Sequence, residues 1–251
     1  MEVHHHPDLH HKKKKFSEYF LEFLMIFLAV TMGFIAENLR EGRSERMKGK
    51  EYVIGLVRDL QQDTANLKVY IRRNQMKVAG IDTLLTLAGQ DISTPANRQM
   101  FYRCCRQYMM SVDFFKNTDV TLAQLKSTGG YRLIQKDSAA HKIAAYDQSI
   151  PRIYEQEQSY DKSLFSAQEI LFELIDMTVF TNPTYFHGKA PTGKELPPVL
   201  NDTQQLKVYF NRVIFARMII ANYANHFLKD ELGEATELIS FLQKAYRIEN
   251  E

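Results

Sequence analysis

The stretch VIGLVRDLQQDTANLKVYIRRNQMKVAGIDTLL, Val53 to Leu85, decides the fold. Val53, Leu60, Leu67, Asn74 and Ile81 form one seven-residue series, and Val57, Thr64, Ile71, Val78 and Leu85 form a second. The spacing alternates four and three through ten positions, eight of them apolar, where a strand would alternate every second residue. This predicts a helix with a coiled-coil-like seam, buried against another copy or against the chain's other helices. The helical pattern extends over Gly42 to Gly89. A buried Asn74 would fix register by needing a partner for its amide. The expectation is instead a helix rotated enough for Asn74 to reach water.

Toward the carboxyl terminus, Gly89, Ser93, Thr94 and Pro95 mark a break. Ser93 or Thr94 can accept from a free amide of the next helix, and Pro95 suits its first turn. Phe101, Cys104, Cys105, Tyr108, Val112 and Phe115 fall on one face of that second helix. Thr118 or Asp119 is placed to cap a short third helix holding Val120, Leu122 and Leu125, which Gly129-Gly130 ends in a turn. A long helix is expected over Ser138 to Phe180, where Ile143, Ile150, Leu164 and Leu171 keep a seven-residue beat with Glu157 as the polar step. Pro151 predicts a kink or break near Ile150, because it removes a helix hydrogen bond. The segment 181–202 carries Pro183, Pro191, Pro197 and Pro198 with Gly188 and Gly193, which reads as an irregular loop and a candidate functional one. The last helix or helix pair spans Thr203 to Ile248, with Leu206, Phe210, Val213, Arg217, Ile220, Ala224, Phe227 and Leu238 marking its apolar face.

Upstream, Phe23 to Ala36 (FLMIFLAVTMGFIA) is a continuous apolar run, and Tyr19, Phe20 and Leu21 extend it past Glu22. That is at the short end of the roughly 17–25 residues a bilayer helix needs. The charged continuation Glu37, Asn38, Leu39, Arg40 and Glu41 offers no small-residue cleavage site, so an uncleaved single-pass anchor over 16–37 is expected. Lys12 to Lys15 sit against the apolar core, while Arg40, Arg43, Arg46, Lys48 and Lys50 follow it. The compact lysine block places the amino terminus on the cytoplasmic side of the membrane and the large domain on the other side. The expected fold is therefore all-α. A His/Lys-rich tail (1–15) and an N-terminal transmembrane helix (16–37) precede an antiparallel helical bundle of four or five main helices (38–251).

The opening MEVHHHPDLHHKKKKFSEYFLEFLMIFLAVTMGFIAENLRE resembles that of a family of uncharacterised Bacteroidetes single-pass membrane proteins, as do KEYVIGLVRDLQQDT (Lys50 to Thr64) and LAQLKSTGGYRLI (Leu122 to Ile134). The resemblance implies a native histidine tail and an uncleaved anchor. It implies no substrate and no catalytic residue.

The 251 residues are 45% hydrophobic and 25% charged, which excludes a disordered chain. A formal net charge of +2 gives no whole-molecule field for nucleic acid. The phosphate-loop, zinc-protease and nucleophile-elbow motifs are absent from the sequence. Cys104 and Cys105 read as small buried residues, since a bond between neighbours would strain the backbone. Asp59 and Asp63 lie four apart off the counted seam and read as a solvated face. His141, His187 and His226 are scattered, with His187 beside Tyr185 and Phe186 the best single ligand contact. The candidate metal ligands are His4, His5, His6, His10 and His11, a tract that binds nickel, copper or zinc by composition, against the plain alternative of a solvated tail.

These residues assign no catalytic or cofactor-binding group. They point to a non-enzymatic membrane-anchored interaction, scaffold or sensor module, held by the lipid bilayer through 16–37 and able to form a homo-oligomer through the 53–85 seam. The alternative is a ligand-binding receptor domain with a pocket between helices near 181–202. A membrane-tethered enzyme built from scattered acids and histidines ranks third.

Overall fold

The computed structural model describes residues 15–181, 194–200 and 202–248, and the chain divides into two compact units, Met1–Gly49 and Lys50–Glu251. Every regular element among the described residues is helical. These are α1 (Phe16–Leu85), α2 (Pro95–Cys104), α3 (Val120–Ser127), α4 (Asp137–Leu174), α5 (Thr203–Asn222) and α6 (Leu228–Tyr246). A π-helical turn, Tyr223–Phe227, joins α5 to α6, so 203–246 is helical throughout.

In the first unit, α1 is apolar on all sides from Phe23 to Ala36 and highly charged from Glu37 onward. From Phe16 to Ile35, thirteen large apolar side chains are exposed. The Thr31 hydroxyl donates to the Phe27 carbonyl at 2.7 Å, so the one hydroxyl between Phe23 and Ala36 is satisfied within the helix. By length and composition this stretch can cross a bilayer.

In the second unit, Val53, Leu60, Leu67, Asn74 and Ile81 are all buried, as the first heptad series predicts. The second series is only partly so: Val57 and Ile71 are buried, while Thr64, Val78 and Leu85 are half-buried. The buried face turns instead toward a third series, Leu56, Asp63, Tyr70, Lys77 and Leu84, of which all but Tyr70 are buried. Asn74 does not reach water. Its amide donates to the carbonyls of Tyr70 and Asp113 and accepts from the Tyr160 hydroxyl at 3.2 Å.

The chain's own helices fill this face. Asp63 meets Tyr146 and Asn74 meets Tyr160, so α4 ascends beside α1 in the same direction. Asp82 pairs with Arg217 and Gln75 with Asn225, so α5–α6 descends beside it. α4 packs in turn along α5 and α6. Tyr160, Tyr209, Tyr223, Phe101 and Phe115 are the largest fully buried side chains of the shared core.

Local signals explain the helix starts. Thr94 accepts from the Asn97 amide ahead of Pro95, and Asp202 accepts from the Gln205 amide at 2.8 Å. Gly129 adopts φ +63° and turns the chain into the 3-10 segment Gly130–Leu133. Three expectations fail. The second helix ends in a π turn at Cys105–Met109, so Val112 and Phe115 lie outside it. α4 stays helical through Pro151, so the chain does not break there, and it stops at Leu174 rather than Phe180. Asp119 precedes α3 without a side-chain capping bond. Of the loop 181–202, Leu196 and Val199 are buried and the Leu200 amide donates to the Leu174 carbonyl, while 182–193 lies outside the described residues.

Candidate functional site

Residues 111–119 have no regular structure, yet Phe115 within them is buried. A non-helical strap inside a helical core must find side-chain partners for its amides and carbonyls, because no ladder supplies them. Four side chains do so, and a fifth holds the first turn of α3. Lys77 donates to the Ser111 carbonyl and Asn74 to the Asp113 carbonyl at 2.9 Å. The Tyr223 hydroxyl accepts from the Phe115 amide at 3.0 Å. Asp63 accepts from the Thr118 amide at 2.7 Å, and Asp59 from the Thr121 amide at 2.8 Å. Asp59 and Asp63 are therefore not a solvated face. They hold the strap and the start of α3 from a neighbouring helix, which is why Asp119 need not cap it.

Behind these contacts lies a polar layer. Tyr146 donates to Asp63, and the Ser149 hydroxyl donates to Glu231 at 3.1 Å. Tyr223 donates to Glu157 at 2.5 Å, and its ring stacks on Tyr160 with centroids 5.6 Å apart. The Lys77 ammonium stands over the Tyr160 ring at 5.2 Å. Burial raises the carboxyl pKa of Asp63, Glu157 and Glu231, the last to about 7. Burial also lowers Lys77 to about 8, against the pull of Asp113. The layer is a clamp whose polar groups serve one another and the strap. Replacing Asp63 with Ala strands the half-buried Thr118 amide and the buried Tyr146 hydroxyl, so it should destabilise the unit by about 2 kcal/mol. Half-buried Asp59→Ala should lose less; chemical denaturation would show the order, and a reversed order would refute the clamp.

Neither the sequence nor this geometry connects the chain to a characterised protein: no family model, no curated protein and no solved structure matches it. Function must therefore be read from its own residues.

His4, His5, His6, His10 and His11, the proposed metal tract, lie outside the described residues, as does His187 with Tyr185 and Phe186. His141 is exposed on α4, and His226 is exposed at the rim of a cavity of about 210 Å³ beside Asp230 and Glu234. Among the described residues no cluster of His, Cys, Asp or Glu is arranged to hold a metal. Cys104 and Cys105 are both buried free thiols, the second 3.3 Å from the Tyr209 hydroxyl. Burial pushes both thiol pKa values up, which disfavours the reactive thiolate. Counting apolar positions missed the clamp, since Asp63, Asn74 and Lys77 are polar. The available signal was their recurrence at the edge of an otherwise apolar face.

Proposed function

We propose that the chain is a single-pass membrane protein whose second unit is a helical bundle acting by interaction, as a scaffold or sensor input rather than as an enzyme. The observation that carries the anchor is the exposed apolar run of α1. Leaving thirteen such side chains in water would forgo about 20 kcal/mol or more of burial. A hydrocarbon surround removes that cost, and the helix satisfies its own backbone groups there. The resemblance of the amino terminus to the Bacteroidetes membrane family supports the same reading. The lysine block before the span favours a cytoplasmic amino terminus and a periplasmic bundle in the inner membrane.

The interaction role is supported by the polar layer, whose groups are engaged in holding the strap. A homo-oligomer through 53–85 would use the outward side of that stretch, where Val69 and Met76 stand exposed one heptad apart. A second reading, a receptor domain, is favoured by a cavity of about 400 Å³ where Leu87 and Ile92 face Thr203, Leu206 and Phe210. A small molecule that raised the melting temperature only when this cavity was intact would support it.

Deleting 16–36 should move the chain from the membrane fraction to the soluble one; an unchanged distribution defeats the anchor. With Cys104 and Cys105 replaced by serine and one cysteine added after Glu251, a membrane-impermeant thiol reagent should label intact cells. Protection until lysis would place the bundle in the cytoplasm.

A further inference from the structure

The seam between α1 and α6 opens twice. One cavity, about 650 Å³, lies between 68–75 on α1 and 229–237 on α6, and a second, about 370 Å³, between 50–61 and 243–248. Because the two helices run antiparallel, the openings follow one another along a single line. Ile71 and Leu232 lie in the first, and Ile54 and Val57 in the second. The cations along this line are Lys68, Arg72 and Lys229, then Lys50, Arg58 and Arg247, against the single carboxylate Glu237. In a chain of formal net charge +2, that is a segregated basic stripe over an apolar floor.

Gly233 supplies an independent mark. At Gly55 an added Cβ would meet Thr121 at 2.9 Å, and at Gly80 it would meet the Tyr108 ring at 2.2 Å. Those two glycines admit side chains of this chain. Gly233, inside α6 and in the first opening, has no positive φ, and apart from its chain neighbours and the adjoining helix backbone no atom lies within 4 Å of where its Cβ would be, as at the exposed Gly33 and half-buried Gly42 of α1. Glycine weakens a helix interior relative to alanine, and nothing in the surrounding structure uses the space.

We infer that the α1–α6 seam is a docking groove for an acidic amphipathic helix of a partner protein. Its carboxylates meet Lys68, Arg72 and Lys229, and its backbone comes close over Gly233. From Lys50 to Gln75 the groove measures about 37 Å at 1.5 Å per residue, a length suited to a helix. The inference rests on the reading of the chain as an interaction module and names its partner's chemistry. The chain's own segments 1–14 and 182–193 bring only two carboxylates, Glu2 and Asp8, among several lysines and histidines, and 249–251, with Glu249 and Glu251, is too short to form a helix along the groove. A second copy offers an acidic-apolar stripe on α4, Asp161, Phe165, Glu169 and Phe172. The Asn74–Tyr160 contact sets that stripe level with about residues 76–87 of α1. Copies related by an axis parallel to α1 would therefore not bring it to the groove. An acidic lipid would use the cations but has no need of close approach over Gly233.

The test is site-specific photo-crosslinking of the full chain in its native cells, with the reactive residue at Thr236 in the groove or at Met218 outside both openings. The adduct at Thr236 should map to an Asp/Glu-rich amphipathic segment of another protein. It should fall about tenfold or more in Lys68→Glu with Arg72→Glu. Gly233→Leu should lower it too while the melting temperature holds or rises, which separates blocked docking from misfolding. An adduct with lipid, with a second copy or with a non-acidic segment overturns the inference, as does one indifferent to charge reversal. A protein adduct at Met218 alone sinks the groove and leaves the interaction reading standing; silence at both positions sinks both.

Discussion

Leu67→Asp should unfold the Lys50–Glu251 unit or bring it close to unfolding. Leu67 is fully buried in the series that faces α4. Replacing it removes about 2–3 kcal/mol of burial and places a carboxylate in a fully buried position, costing several kcal/mol more unless it protonates. Together these approach the roughly 5–15 kcal/mol that holds a domain of this kind together. Leu60→Asp should behave alike. Ile71→Asp should be milder, because Ile71 borders the groove and retains 8% of its exposure. Lys68→Asp, one residue on and exposed, should change stability by about 0.5 kcal/mol or less. Circular dichroism melts of the four variants decide the matter. Equal losses at Leu67 and Lys68 would dismiss the assigned buried face.

Glu231→Gln should stabilise the protein at pH 8 and leave it unchanged near pH 4. Glu231 is 3% exposed, and burial raises its pKa to about 7, with Glu234 adding to the rise. The Ser149 hydroxyl, Arg152 and Tyr146 oppose it. Since the folded pKa lies above the unfolded one, the native state holds the proton more tightly. The neutral carboxyl costs nothing below about pH 4.5. The penalty then grows as pH rises and is complete above about 7. A displacement of that size corresponds to about 3 kcal/mol, or roughly 5–10 °C in melting temperature for a unit of this length. Glutamine keeps an acceptor for Ser149 without the charge. Parallel stability curves for the two proteins between pH 4 and 8 would rule the explanation out.

The helices were legible where an apolar beat of seven met ordinary punctuation. Val53 through Ile81, the Thr94–Pro95 start and the Gly129 turn can all be read in one dimension, because each depends on near neighbours. The rotation of α1 could not be read this way. The series Leu56, Asp63, Tyr70, Lys77 and Leu84 looks half polar until the strap that needs those polar groups is present. Nor could the strap itself: Val112 and Phe115 continue the helical spacing of Tyr108, and no glycine or proline interrupts them. Ser111, Asp113, Asn117 and Thr118 are poor helix formers, and the tertiary hydrogen bonds they gain settle the competition. Pro151 shows the reverse case, a local breaker overridden by a long buried face on either side of it. Of the site, the apolar floor of the groove was visible in Ile71, but its basic stripe emerges only when α6 lies beside α1.

That pairing has a consequence for synthesis. The Asp82–Arg217 and Gln75–Asn225 contacts join residues 135 and 150 positions apart, so α1 meets this neighbour only after residues 217–225 have been made. Closing so large a loop is entropically slow, and the nascent chain carries one apolar flank of α1 bare in the meantime. A product cut short before α5 keeps that flank exposed permanently and becomes a substrate for chaperones and proteases.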